Sequence, residues 1–452
     1  MSEQSSWVRQ YEVSGTRASE IAAGVEAAVS AGRLAPGTEL PPVRELAEQL
    51  GINPNTAAAA YRVLRDRGTV ETRGRLGTRI RERPATSPAS RVLTLPPGTL
   101  DLSSGYPDPD LLPRLEAPRP ILPSQYVEET IGAPLLNEAR PFFAADGVPA
   151  DHVLCTFGAL DGIDRVLTVL LRAGDRVAVE DPGWAQLLDL LAADRLIPLP
   201  VPVDDDGPDP AALAAALAAG AKAFITTTRA QNPYGSATTA ERAAALRAVL
   251  ADHPDVLTID DDHGSELADG APRHLVASTS RWAYVRSASK AYGPDLRIAL
   301  LSSDAATHDL VAGRLRHTAR HVSRIIQETW AAALADRETQ ALVLRAAQIY
   351  DTRRTALLDA MADCGLEAHG RSGLNVWVPV PDESAALSAL LSAGFAAAPG
   401  AWFRLRSGPG LRVTTARLDP ARAADLADAF RSCAVPVNAV HANSYASSGR
   451  SL

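Results

Sequence analysis

Residues 287–297 read SASKAYGPDLR, and this stretch decides what the larger part of the chain is. Lys290 stands beside two seryl hydroxyls, Ser287 and Ser289, with Arg297 further on. Hydroxyls and a guanidinium next to an amine supply donors for a phosphate dianion. The amine itself is scarce: of 45 basic residues, only Lys222 and Lys290 are lysines. A guanidinium is never usefully deprotonated, whereas a lysine amine condenses with a carbonyl. A chain that writes almost all its positive charge as Arg, yet keeps one Lys in a Ser-rich turn, marks that Lys for covalent chemistry. Lys222 precedes AFITTT without hydroxyl neighbours and reads as structural.

Working outward, the neighbouring motifs each follow an expected strand. IDDDH (259–263) ends one, which puts Asp261 and His263 on the same face. RAQNPYG (229–235) places Asn232 on the turn after another. FGALDG (157–162) follows VLCTF and opens a helix, so the amides of Ala159 and Leu160 face an anion-binding position. DPGW (181–184) sets Trp184 after a further strand end. Taken singly, an SxSK is a chance motif, an Asp run a solvated turn and a Trp core filler. Together they supply what pyridoxal phosphate needs: an imine-forming Lys290, Asp261 for the ring nitrogen and Asn232 for the ring hydroxyl, with Trp184 to stack and phosphate donors besides. All lie at strand C-termini, where open α/β sheets bind ligands.

The alternation of strands and helices through VLCTF, RVAVED, AFITTT and VLTIDDD predicts an α/β domain with a mostly parallel sheet. From about residue 336 it gives way to NVWVPV, FRLR and LRVTTA, then the helix PARAADLADAFRS, a smaller α+β lobe. This set resembles the fold-type I aminotransferases over residues 99–434. The resemblance implies pyridoxal phosphate as cofactor and Lys290 as its Schiff-base residue. It further implies that Ala159, Leu160, Trp184, Asn232, Asp261, His263, Ser287, Ser289 and Arg297 contact the cofactor, and that Arg412 grips an effector carboxylate. His263 stands where most relatives carry Tyr, and DLSSGYPDPDLLP resembles the family's entry strand, which implies that Gly105-Tyr106 lines the substrate side.

Residues 1–82 are a different unit. Apolar residues recur at helical spacing from Ala18 to Ala31; a second helix follows Pro41-Pro42 and stops at Gly51; a third opens at Asn53-Pro54. TVETRGRLGTRIRER then reads as a hairpin, so the unit is a helix-turn-helix with a wing. The chain carries a net charge of -8, yet residues 61–83 hold eight Arg against Asp66, Glu71 and Glu82. That basic segment is the footprint of a phosphate-backbone partner. Asn53, Asn55 and Thr56 are expected at base edges, with Arg44, Arg62, Arg65, Arg73, Arg75 and Thr78 at phosphates or the minor groove. ELPPVRELAEQLGINPNTAAAAYRVLRDRGTVETRGRLGTRI (39–80) resembles the winged helix of the GntR family of bacterial repressors, a resemblance that covers residues 16–82. Pro54 stands where many of them carry Arg, so the resemblance implies that one base contact of the family is missing.

ERPATSPASRVLTLPPG places a Pro- and Ser-rich linker at 83–98, and the polar, aperiodic residues 435–452 read as a disordered tail. A winged helix linked to an aminotransferase-like domain resembles the MocR subgroup of bacterial transcription regulators. The subgroup implies a homodimer that binds double-stranded operator DNA and uses the second domain as a sensor of pyridoxal phosphate, an amine or an amino acid. The alternative is a working aminotransferase with a DNA-binding appendage. Cys155, Cys364 and Cys433 are odd in number and lack CxxC spacing, and MSEQSSWVRQYE has no signal-peptide character, so a cytoplasmic chain without membrane partner is expected. No metal site is expected: His317 and His321, four apart in HTARH, lack a third ligand.

Overall fold

The computed structural model describes residues 6–30, 33–35, 37–66, 69–72, 77–81, 93–116, 129–268, 270–431 and 433. The tail 435–452, linker residues 83–92 and the wing-tip residues Arg73 and Arg75 lie outside that set.

In the N-terminal unit the apolar stripe of Ala18–Ser30 buries Ile21, Ala22, Val25 and Ala28 completely. Val43–Leu50 contributes Leu46 and Ala47 and ends where Gly51 turns left-handed at φ +67°, a conformation glycine adopts without a Cβ penalty. Pro54–Asp66 contributes Ala57, Ala60, Tyr61 and Leu64. Its start is capped by Asn53, whose Oδ1 accepts the Asn55 N–H at 2.8 Å. Strands Val70–Thr72 and Thr78–Ile80 pair antiparallel as the wing hairpin. Glu39–Leu40 joins Thr78–Ile80 as a third strand that the sequence did not announce. A short helix, Trp7–Gln10, was also missed; Gln49 Oε1 anchors it by accepting from Ser6 Oγ at 3.0 Å and Val8 N–H at 3.2 Å.

The second domain is built on an eight-stranded sheet. Its order is Val153–Thr156, Ala299–Ser303, Arg281–Ser287, Leu257–Asp262, Ala221–Thr226, Arg176–Asp181, Ile197–Asp204, Gly207–Pro208. The strands run parallel except Ala299–Ser303 and Gly207–Pro208. The central strands are buried on both faces, as crossover helices require. One apolar layer gathers Leu154, Ile163, Val166, Val285 and Leu301; the other gathers Cys155, Phe143, Tyr284 and Trp330.

The smaller lobe pairs Asn375–Pro379 with Gly410–Thr414, and the latter with Ala398–Pro399. FRLR is not a strand: Phe403 leaves a short helical turn, and the amides of residues 405–407 bond Asp181 instead of a sheet neighbour. The segment leaving the linker belongs to this lobe, because Leu100–Asp101 pairs in parallel with Phe395–Ala396. The helix Ala305–His317 ends at His317, so His321 does not share a helical face with it. Among the described residues no helix is long and apolar enough to cross a membrane.

Candidate functional site

Five strand ends converge where the lobes meet, around a cavity of about 530 Å³. It is lined by Ala159, Leu160, Trp184, Asn232, His263, Ser287, Ser289, Lys290, Arg297 and Arg412, every sequence-selected site residue of this domain except Asp261. Asp261 lies just behind, 1% exposed, its Oδ2 3.1 Å from His263 Nδ1. Its other oxygen, Oδ1, is buried and has no hydrogen-bond partner. A buried polar atom left unpaired is costly, so a carboxylate held this way awaits a donor.

The alternatives in the same Asp run are engaged elsewhere, because alternate strand residues face opposite sides. Asp260 accepts from Thr228 Oγ1 and Leu275 N–H at 3.2 Å each, and burial pushes its carboxyl up to about 8. Asp262 is also fully buried, but Arg286 and Arg229, each 2.8 Å away, overcome that burial and hold its carboxyl far below the usual range.

Lys290 is half-buried in the cavity wall, and its desolvation there pushes its amine down to about 8; Arg412 adds to the effect and Asp261 opposes it. Its Nζ donates to the Gly105 carbonyl and lies 5.5 Å from the centre of the Tyr106 ring. Arg412 donates through Nη1 to Asn232 Oδ1 at 3.0 Å and through Nη2 to the Ser103 carbonyl at 2.5 Å. The Phe403 ring centre lies 4.7 Å from its guanidinium carbon. Gly105, at φ +70°, permits this approach: a Cβ there would come within 2.9 Å of Arg412 Nη2.

The phosphate-type donors gather at the start of Ala159–Leu170. Gly158 precedes it at φ +96°, and a Cβ there would meet Arg297 Nη2 at 3.0 Å. Ser287 Oγ accepts the Ser289 N–H at 3.2 Å, closing the turn that carries Lys290. Trp184 and His263 stack at 6.2 Å between ring centres. Sequence reasoning missed Leu93, Asp101, Ser103, Ser104, Gln186, Trp402 and Phe403, which also line the cavity. The aromatic pair in GAWFRLR was the one available signal, and a strand assignment obscured it.

On the winged helix, Arg44, Asn55, Arg62 and Arg65 are exposed, whereas Thr56 and Thr78 are half-buried. Asn53 is exposed, but one acceptor position of its side chain is used in the helix cap. Arg79, within the basic segment, is paired to Glu71 at 2.6 Å.

Comparison with known proteins agrees with both halves. Residues 131–430 match the aminotransferase class I and II family, and residues 17–80 match the gntR family of bacterial regulatory proteins. Solved structures share the second domain's fold. The α-aminoadipate aminotransferase LysN of Thermus thermophilus, complexed with N-(5'-phosphopyridoxyl)-L-leucine, aligns with TM-score 0.66 and 22% identity over 78% of this chain and 96% of its own. The Pyrococcus horikoshii kynurenine aminotransferase aligns with TM-score 0.67 and 20% identity over 74% of this chain and 90% of its own. These define the class: a gntR-type DNA-binding domain joined to a fold-type I aminotransferase domain, which is a pyridoxal phosphate fold.

Full-length relatives narrow it. The vitamin B6 salvage pathway transcriptional repressor PtsJ of Salmonella typhimurium is 37% identical over 90% of this chain and 96% of its own. The pyridoxine biosynthesis regulator PdxR of Corynebacterium glutamicum is 27% identical over 74% of this chain and 76% of its own. The chain belongs to the MocR-type subgroup of the GntR family of transcription regulators.

Proposed function

We propose that the protein is a cytoplasmic DNA-binding regulator whose operator affinity responds to pyridoxal phosphate and to an amine or amino acid meeting it there. Genes of vitamin B6 or amino-acid metabolism are its targets, by analogy with the names of its relatives. Residues fit the cofactor. The unpaired, buried Asp261 Oδ1 suits a ring nitrogen, and Asn232 a ring hydroxyl. The helix-start amides of Ala159 and Leu160 suit a phosphate, with Ser287, Ser289 and Arg297 beside them. Trp184 supplies a stacking face, and His263 buttresses Asp261. When bound, the cofactor supplies an aldehyde that condenses with amines. Lys290 meets that need because its lowered basicity leaves about a tenth of its amine unprotonated at pH 7, far more than an ordinary lysine. Arg412 presents a planar fork suited to an effector carboxylate.

One observation carries the regulatory reading over a purely metabolic one. Both ligand-handling cations grip the backbone that continues from the linker: Lys290 donates to Gly105 and Arg412 to Ser103. Leu93, from the linker itself, lines the same cavity. A ligand that recruits Lys290 or Arg412 therefore competes with contacts to the segment of the second domain that follows the linker directly. A tenfold change in operator affinity needs only ~1.4 kcal/mol of such coupling. As a homodimer the protein would present two winged helices to paired half-sites.

The test titrates DNA from upstream of the protein's own gene with apo, cofactor-loaded and Lys290→Ala protein, alongside an assay for amino-acid transamination. Different affinities for apo and loaded protein are expected, with Lys290→Ala failing to respond. Equal binding by all three together with brisk turnover would establish the enzyme reading instead.

A further inference from the structure

The DPGW motif opens on Asp181, which ends the strand Arg176–Asp181 and is 3% exposed. Its carboxylate accepts four hydrogen bonds from one loop of the smaller lobe. Leu405 N–H donates to Oδ1 at 2.8 Å, Arg406 N–H to Oδ2 at 2.6 Å, Ser407 N–H to Oδ2 at 2.8 Å and Ser407 Oγ to Oδ1 at 2.9 Å. Gly183 N–H adds a fifth bond, to the Phe403 carbonyl at 2.8 Å. Three consecutive backbone amides on one buried carboxylate fix the path of a loop, since turning them away would strip that carboxylate of its donors.

That loop shapes the cavity. Trp402 and Phe403 line it, and Phe403 lies against the Arg412 guanidinium. Its other end is held inside the smaller lobe: Glu383 pairs with Arg404 at 2.9 Å and accepts the Ala401 N–H at 2.9 Å. Asp181 and Gly183 thus tie the aromatic wall to the larger lobe, a few residues from Trp184.

We infer that Asp181 is a positioning residue for the carboxylate subsite. By gripping residues 405–407 it sets Phe403 against Arg412 and keeps the guanidinium aimed at an α-carboxylate. The protein therefore separates α-amino carboxylates from simple amines, with the ligand side chain lodged against Trp402 and Phe403. This rests on the proposed role of Arg412 as the group that binds the ligand's carboxylate.

The test uses full-length, cofactor-loaded protein and two probes, L-phenylalanine and phenethylamine, which differ by the carboxylate alone. Binding is followed by displacement of the cofactor absorbance band, and pyridoxal phosphate affinity is measured separately. Wild type should prefer L-phenylalanine by about tenfold or more, the worth of a charge-assisted pair. Asp181→Asn should hold pyridoxal phosphate and phenethylamine within about twofold while losing about tenfold for L-phenylalanine. Ser407→Ala removes one of the four bonds and should lose roughly threefold on the same probe alone. If Asp181→Asn does not fold, Ser407→Ala and Asp181→Glu decide, and retention of the full preference by both overturns the assignment. Equal weakening of both probes by Asp181→Asn overturns it too, marking Asp181 as merely structural. A wild type indifferent to the carboxylate instead removes the role given to Arg412.

Discussion

Arg412 Nη1 donates to Asn232 Oδ1 across 3.0 Å, joining the smaller lobe to the larger through two residues 180 positions apart. Arg412 lies in the strand Gly410–Thr414 and Asn232 on the turn after Ala221–Thr226, so the bond bridges the two lobes at the cavity. Arg412→Lys loses the planar fork as well as the bond to Asn232, and so is not conservative. It should weaken a carboxylate-bearing ligand by about tenfold or more and leave pyridoxal phosphate affinity nearly unchanged. Absorbance titration of both ligands checks the split.

Lys290→Ala should abolish the visible absorbance of cofactor-loaded protein without changing far-ultraviolet circular dichroism. In wild type the rate of cofactor capture should rise with pH and level off above about 8, where the Lys290 amine is mostly unprotonated. Stopped-flow mixing across pH 6–9 measures it. An absorbance band that survives Lys290→Ala would transfer the covalent role to Lys222, which is exposed in the strand Ala221–Thr226.

Asp261→Ala should weaken pyridoxal phosphate by about tenfold or more, the value of one hydrogen bond to a charged group. Asp260→Ala and Asp262→Ala, whose carboxylates already have protein partners, should act on folding stability instead. Equilibrium dialysis separates the first effect from thermal melting, which reports the second.

Stability should fall as pH rises. Burial pushes Glu180 up to about 7 and Asp260 up to about 8. Unfolded carboxyls release their protons near pH 4, so between about pH 4 and 8 the folded chain holds more protons than the unfolded one. Protonation therefore favours the fold across that window, and the midpoint of thermal unfolding should drop as pH climbs from 5 to 8. Asp260→Asn should flatten the slope, a result that differential scanning calorimetry at several pH values would show.

DNA binding should fall steeply with salt. Arg44→Ala and Arg62→Ala, both at exposed positions, should each reduce the log–log salt slope by about 0.9 if each neutralises one phosphate. Arg75→Ala, at the wing, should behave likewise. Fluorescence anisotropy between 50 and 300 mM salt measures the slopes; a variant that lowers affinity with the slope intact contacts a base.

Much of this was written in the sequence, for a physical reason. Parallel strands buried on both faces appear as apolar runs, and the polar turn after each presents the chemistry. Hence Asn232 and Asp261 were each found from the strand preceding it, and the Ser287–Lys290 turn from its hydroxyl neighbours and the scarcity of lysine. What escaped depends on partners far along the chain. Glu39–Leu40 is too short to show a period. Leu100–Asp101 pairs with a strand almost three hundred residues away. FRLR has an extended-strand composition, but the Asp181 carboxylate takes the amides that a sheet would have used. Trp402 and Phe403 went unread for the same reason.

The near absence of lysine has a consequence for selectivity in a crowded cell. Free aldehydes react indiscriminately with exposed amines, and most protein surfaces offer dozens of them. This chain offers two lysines, and only Lys290 sits beside a phosphate cradle. With its amine pushed down to about 8, Lys290 carries on the order of a hundredfold more neutral amine at pH 7.4 than an ordinary lysine. Background adducts on the remaining surface are thereby suppressed. Under the proposed sensing role, little of the protein's own surface would act as a sink for the aldehyde.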